Sequence, residues 1–157
     1  MVEIRYFRGE LTDRAVPLHL RLRLFHAVLT PTILYGCASW VMTESRSTLL
    51  RTTQLKMLRV LLGRGRIRKE PDGAVETWVE WVQRVTPEAR KAMLDHGIPA
   101  WDVEQQSRQR QWGLHVESMS HDRWAKKALN WQPDGRRGRG RPATRWADKF
   151  ASLIAEP

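Results

Sequence analysis

A single cysteine, Cys37, occurs in the 157-residue sequence. Its isolation excludes an intramolecular disulfide and any cysteine-based zinc site. No segment approaches the roughly 18 consecutive apolar residues a transmembrane helix needs, so a membrane is not the expected partner. Adjacent aspartates are missing too, and the acids are spread along helical segments, where a two-metal nucleotidyl transferase would cluster them. A nuclease of the Pro-Asp and acid-x-Lys kind lacks its second half: Pro71-Asp72 and Pro133-Asp134 exist, but Asp148-Lys149 has no intervening residue. His19 and His26 are seven apart and have no third ligand nearby. We therefore expect no catalytic residue, no metal and no cofactor in this chain. The opening MVEIRYFRGELTDR is charged where a secretory signal needs an apolar core, so no signal peptide is expected there.

Positive charge is what the sequence has in excess. Lysine and arginine number 27 against 17 acids, a net charge of +10. Residues 1–69 carry 13 basic and 4 acidic side chains, residues 70–134 carry 8 and 11, and residues 135–157 carry 6 and 2. Two basic regions flanking a slightly acidic middle favour a polyanionic partner, RNA or DNA ahead of a membrane surface.

Apolar spacing predicts an all-α chain of six or seven helices. Leu18, Leu22, Phe25 and Leu29 recur at helical intervals, with Arg21 and His26 toward water and Pro31 as the interruption. Residues 45–63 form the clearest helix, with Leu50, Met57, Leu58, Leu61 and Leu62 as an apolar stripe and Gly63 as its stop. Arg51, Lys56 and Arg59 leave another side of it basic. Trp78, Trp81, Val82 and Val85 repeat at helical spacing, Thr86-Pro87 reads as a new helix start, and Gly97 as its end. Asp102 and Asp122 are candidate caps for helices reaching Met119 and Trp131, and a final helix is expected over 144–155. Seven of the eight tryptophans lie after residue 70. Exposed indoles would suit base stacking, but Trp78, Trp81, Trp112, Trp124 and Trp146 fall on apolar stripes, which favours core anchoring.

The octet GRRGRGRP at 135–142 is the one low-complexity stretch. Its Arg139-Gly140-Arg141-Pro142 order is that of AT-hooks, in which glycine admits the backbone to a narrow minor groove and arginines meet its negative potential. A basic connector adding phosphate affinity is the reading preferred for it.

The string LFHAVLTPTILYGCASWVMT, followed by LLRTTQLKMLRVLLG, resembles the segment just beyond the catalytic palm in non-LTR (LINE-type) retrotransposon reverse transcriptases. The matching residues are Leu24, Phe25, Pro31, Leu34, Tyr35, Gly36 and Trp40, then Gln54, Met57, Leu58, Arg59 and Gly63. RQRQWGLHVESMSHDRWAKKALNW and GRRGRGRPATRWAD are similar to that family's post-thumb region, through Trp112, His115, Val116, Met119, Asp122, Arg123, Trp124, Trp131, Gly140, Arg141, Pro142, Arg145, Trp146 and Asp148. The family more often has a small residue and then glycine between this Trp and the His-Val pair, so Gly113 and Leu114 stand exchanged. The resemblance spans about residues 18 to 148.

That resemblance implies a thumb-like helical bundle followed by a Trp-rich helical module, from an RNA-directed DNA polymerase whose Tyr-x-Asp-Asp palm has no counterpart in these residues. The implied chain is noncatalytic, binds RNA or DNA through basic helices, docks with the palm of its parent polymerase, and works inside the cell in the nucleus. The expected organisation is an extension at 1–17, a thumb-like segment at 18–66, a linker at 67–76, the Trp-rich module at 77–134, and the connector with terminal helix at 135–157. The expected nucleic-acid contacts are Arg51, Lys56, Arg59, Arg64 and Arg66, with Arg136, Arg137, Arg139, Arg141 and Arg145. Two alternatives stand beside this reading: a helical protein-interaction module, and a retrotransposon remnant without function.

Overall fold

The computed structural model describes residues 8–68, 73–131 and 145–155. In chain order they form α1 (Arg8–Thr12), α2 (Leu18–Leu24), a π turn (Phe25–Leu29), α3 (Thr30–Ile33) and a 3-10 turn (Cys37–Ser39). The longer helices follow: α4 (Glu44–Leu62), α5 (Trp78–Asp95), α6 (Trp101–Glu117), α7 (Trp124–Asn130) and α8 (Trp146–Ala155). Among the described residues, β pairing is limited to one isolated antiparallel bridge between Arg68 and Val75. The fold is all-α, as the spacing predicts. It divides into two units, residues 1–35 with 48–101 and residues 36–47 with 102–157.

The first unit buries Leu22, Phe25 and Leu29 of the expected stripe. Pro31 does not end this helical path. A proline lacks the N–H of a regular turn and its ring presses on the carbonyl four residues back. The chain absorbs this by widening first: the Thr30 amide reaches back five residues to the Phe25 carbonyl, and the Thr32 hydroxyl takes the Val28 carbonyl at 2.8 Å. Pro87 is likewise inside α5, so Thr86 is not a helix start. Thr77 caps α5 instead, in a reciprocal box in which the Glu80 amide donates to the Thr77 hydroxyl and the Thr77 amide to the Glu80 carboxylate. Thr86 turns its hydroxyl back to the Val82 carbonyl at 2.6 Å. Trp81, Val85, Ala89, Ala92 and Met93 stay buried on both sides of the proline, and that continuous face offsets the broken ladder. Gly97 does end α5. Its φ is +62°, its amide bonds the Leu94 carbonyl, and the Ile98 amide bonds that of Met93, the six-residue closure of a Schellman turn.

Polar side chains occupy much of this core. Gln54 is buried on α4 beside Leu55, Leu58 and Leu61, while Leu50, Met57 and Leu62 are half-buried. Its amide donates to the Pro99 carbonyl at 2.9 Å and accepts from the Trp101 amide at 2.9 Å, holding the entry of α6. Trp101 is wholly buried, stacks on Phe25 with centroids 5.7 Å apart, and donates to the Thr30 hydroxyl at 3.0 Å. Arg21, expected toward water, is buried, and His26 is half-buried with Nδ1 enclosed.

In the second unit, Gln105 and Gln109 lie one turn apart on α6, both buried. Gln105 donates to the Cys37 carbonyl at 3.2 Å and to Gln109, and Gln109 donates to the Trp40 carbonyl at 3.5 Å. Trp146 of α8 donates to the Ala38 carbonyl at 2.6 Å. Three side-chain donors thereby satisfy the irregular backbone that follows Gly36, whose φ is +64°. The helices begin close to the expected caps. Asp102 is the second residue of α6, and Asp122 lies just before Arg123, the N-cap of α7.

The tryptophans are sorted differently from the expected core anchors. Trp81 is buried and Trp146 half-buried, but Trp78, Trp112 and Trp124 are 60%, 44% and 83% exposed. Trp78 sits in the first turn of α5 and stacks on the outside of Trp81, 4.8 Å between centroids. Trp124 opens the short α7, with Lys127 Nζ 5.1 Å over its ring. On α6 the core-facing residue of that turn is Gly113, and Trp112 beside it is turned outward.

Candidate nucleic-acid interface

A helix C-terminus leaves carbonyls without amide partners. At the end of α4 and in the segment that follows it, arginines and one tryptophan take such carbonyls. Arg21 Nη1 donates to the Leu61 carbonyl, Arg14 Nη2 to Gly63, Trp81 Nε1 to Arg64 at 2.7 Å, and Arg84 Nη2 to Gly65 at 2.9 Å. Cations suit this position, since carbonyl dipoles make the helix end negative. Arg21 Nε also donates to the Val16 carbonyl at 3.0 Å, which is why this cation is stable inside. Arg14, Arg21, Arg64 and Arg84 line a cavity of about 590 Å³ together with Glu88. Its charge is committed internally: three guanidiniums hold backbone, and Arg64 pairs with Glu88 at 2.9 Å.

Glu76 is buried and receives two bonds from Arg84, at 2.9 and 2.8 Å, and one from the Ile67 amide at 3.3 Å. The bonds from Arg84, more than its charge, hold the Glu76 carboxyl below its ordinary range, and Ile67 adds to this against the opposing effect of burial. A carboxylate whose folded pKa is depressed stabilises the fold above its unfolded value of about 4.3 and loses that contribution as pH falls through the folded value. Glu76→Gln should therefore lower the denaturant midpoint at neutral pH. The gap to the parent should close on acidification below pH of about 4. A gap that persisted in acid would assign the loss to packing.

The expected contact residues fall into separate groups. Arg51 and Lys56 are exposed on α4. Five residues apart on a helix, they are separated by about 140° and do not form one file. Lys56 borders an apolar cavity of about 450 Å³ with Phe25, Leu29, Met57 and Val60. Arg59 does not join them as a solvent-facing cation: Nη1 donates to the Thr86 hydroxyl at 3.1 Å, and Cζ lies 6.0 Å from the Trp81 ring centroid. Burial pulls its guanidinium below the ordinary value. Arg64 is exposed but paired with Glu88, and Arg66 is exposed on the segment after α4. Arg68, which the sequence reading passed over, is exposed beside it. Arg136, Arg137, Arg139 and Arg141, with the whole AT-hook-like octet, lie outside the described residues. Arg145 belongs to the second unit. It is half-buried, and its amide donates to Asp148 Oδ2 at 3.1 Å, closing the start of α8.

Among the described residues no group of three histidine, cysteine or acidic side chains is placed to hold a metal ion. Burial pushes the Cys37 thiol up, with Arg108 partly opposing. That leaves it a small core residue with little thiolate character. No helix among the described residues is long and apolar enough to cross a membrane. Compared with protein-family models, curated proteins and solved structures, the chain has no match.

Proposed function

We propose that this chain is a noncatalytic nucleic-acid-binding segment of a LINE-type reverse transcriptase, gripping the phosphate backbone of template and primer. The observation that carries the reading is the run 48–68, which has six cations and no acid. Five of them, Arg51, Lys56, Arg64, Arg66 and Arg68, are exposed. An uninterrupted cationic run on a helix and the segment after it suits backbone contact, which positions a duplex without reading its sequence. The resemblance of the same stretch to the family's post-palm helix supports the assignment, and nuclear location goes with it.

If about four phosphates are neutralised, log K should fall with log salt at a slope of roughly −3.6 on duplex DNA, about a hundredfold loss between 50 and 200 mM. Lys56→Ala should make that slope shallower by about 0.9. Salt-independent binding, or no binding to DNA or RNA near 50 mM, would overturn the reading. A second reading, a helical protein-interaction module, draws on the 60% and 83% exposure of Trp78 and Trp124. It expects alanine at both positions to abolish partner capture and leave nucleic-acid affinity unchanged.

A further inference from the structure

We infer that the second unit carries a stacking site for an unpaired nucleobase, walled by Trp112, Trp131 and Trp146 with Arg145 beside them. This rests on the nucleic-acid reading and adds to it a place where a single strand is held by its bases. The four residues, with Val116 and Leu129, line one cavity of about 510 Å³, inside the roughly 300–1,000 Å³ typical of small-molecule sites.

Each part has a physical use. Trp112 and Trp131 are 44% and 68% exposed, so their rings are accessible without unfolding. Trp146 is fixed in advance: its Nε1 donates to the Ala38 carbonyl at 2.6 Å, and its ring stacks on Phe150 at 5.3 Å with 16° between planes. A wall already ordered costs little entropy on binding. Flat π faces accept any base, which suits a protein that follows a strand without reading it. The guanidinium of Arg145 matches the phosphate that every nucleotide brings, and it pairs with phosphate in a planar fork. Four more arginines lie at 136–141, within ten residues upstream in the sequence. An aliphatic peptide would use the indoles and leave this charge unanswered, so an unpaired nucleotide is the better fit.

The test compares an oligothymidylate of about a dozen nucleotides with a duplex of similar length, near 50 mM salt, by fluorescence anisotropy. Trp131→Ala and Trp112→Ala should each weaken oligothymidylate binding about tenfold and leave duplex binding within about twofold. Trp131→Phe, which keeps a flat ring, should recover most of the loss. Both indoles are exposed, and unchanged circular dichroism confirms that the variants fold. Equal losses on both probes, or no loss on either, overturn the stacking site. If the parent binds duplex but not oligothymidylate, the site falls and the backbone-grip reading stands. If it binds neither, both fall.

Discussion

Trp101→Ala should lower the free energy of unfolding by about 3–5 kcal/mol, the range for removing a large aromatic from a packed core. The side chain is wholly buried, so the substitution removes apolar area and leaves a cavity that only partly collapses. Phe25 loses the ring stacked on it at an interplanar angle of 2°. The Thr30 hydroxyl, itself buried, loses its donor, which adds the cost of an enclosed polar group with one bond fewer. Trp101→Phe separates these effects. It keeps a ring against Phe25 but cannot donate to Thr30, and should lose about 1–2 kcal/mol. Denaturant unfolding followed by circular dichroism reads both variants. A loss below about 1 kcal/mol for the alanine variant would show that α6 is not anchored through this indole.

Helix class and several helix ends are legible in the sequence because local geometry sets them. Gly63 and Gly97 have φ of +65° and +62°, a conformation that side-chain-bearing residues resist, so a glycine at the end of an apolar stripe is a dependable stop. Proline is less dependable. Pro31 and Pro87 both lie inside helical runs, because a π turn in one case and an unbroken buried face in the other outweigh the lost bond. The buried polar residues were the least legible. Arg21, Gln54, Gln105 and Gln109 are core residues, and no hydropathy pattern selects them. What places them is a carbonyl distant in sequence that needs a donor: for Arg21 one in the last turn of α4, 40 residues away, and for Gln105 one in the irregular backbone after Gly36, 68 residues away. Tryptophan misleads in the opposite sense: a position on an apolar stripe cannot tell the first turn of a helix, where Trp78 and Trp124 sit, from its buried middle.

The cations of the candidate interface divide in the same way. A count of arginines assigns equal weight to each, whereas the structure divides them by what their guanidiniums already hold. Arg14, Arg21 and Arg84 hold carbonyls at the end of α4 and in the segment after it, Arg59 lies on Trp81, and Arg64 pairs with Glu88. The Arg64 pair is largely exposed and worth at most about 1 kcal/mol, so a phosphate can compete for it. Arg21 is different, because releasing it would strand buried carbonyls. Mutational tests of binding therefore belong on Lys56, Arg66 and Arg68. Loss of binding in an Arg21 or Arg84 variant would report on folding.

Gly113→Ala should destabilise the chain by about 2–3 kcal/mol, against the usual sign for a helix interior. Ordinarily this exchange gains up to about 1 kcal/mol, since alanine restricts the unfolded chain and favours the helix. Here a Cβ would overlap the ring of Phe150, whose Cε2, Cδ2 and Cζ lie against the glycine. Phe150 is buried and stacked on Trp146, which is itself bonded to Ala38, so the ring cannot withdraw without disturbing both. Overpacking of this kind costs about 1–3 kcal/mol in its own right. The residue without a side chain stands where the α8 ring approaches, and Leu114, next along the helix, is exposed. A double-mutant cycle tests the assignment. Phe150→Leu alone should cost about 1–1.5 kcal/mol and, by removing the ring edge, relieve most of the Gly113→Ala penalty, giving a coupling of about 2 kcal/mol. Additive losses would show that the two residues do not meet, and a stabilised Gly113→Ala would show that this turn of α6 has room for a side chain.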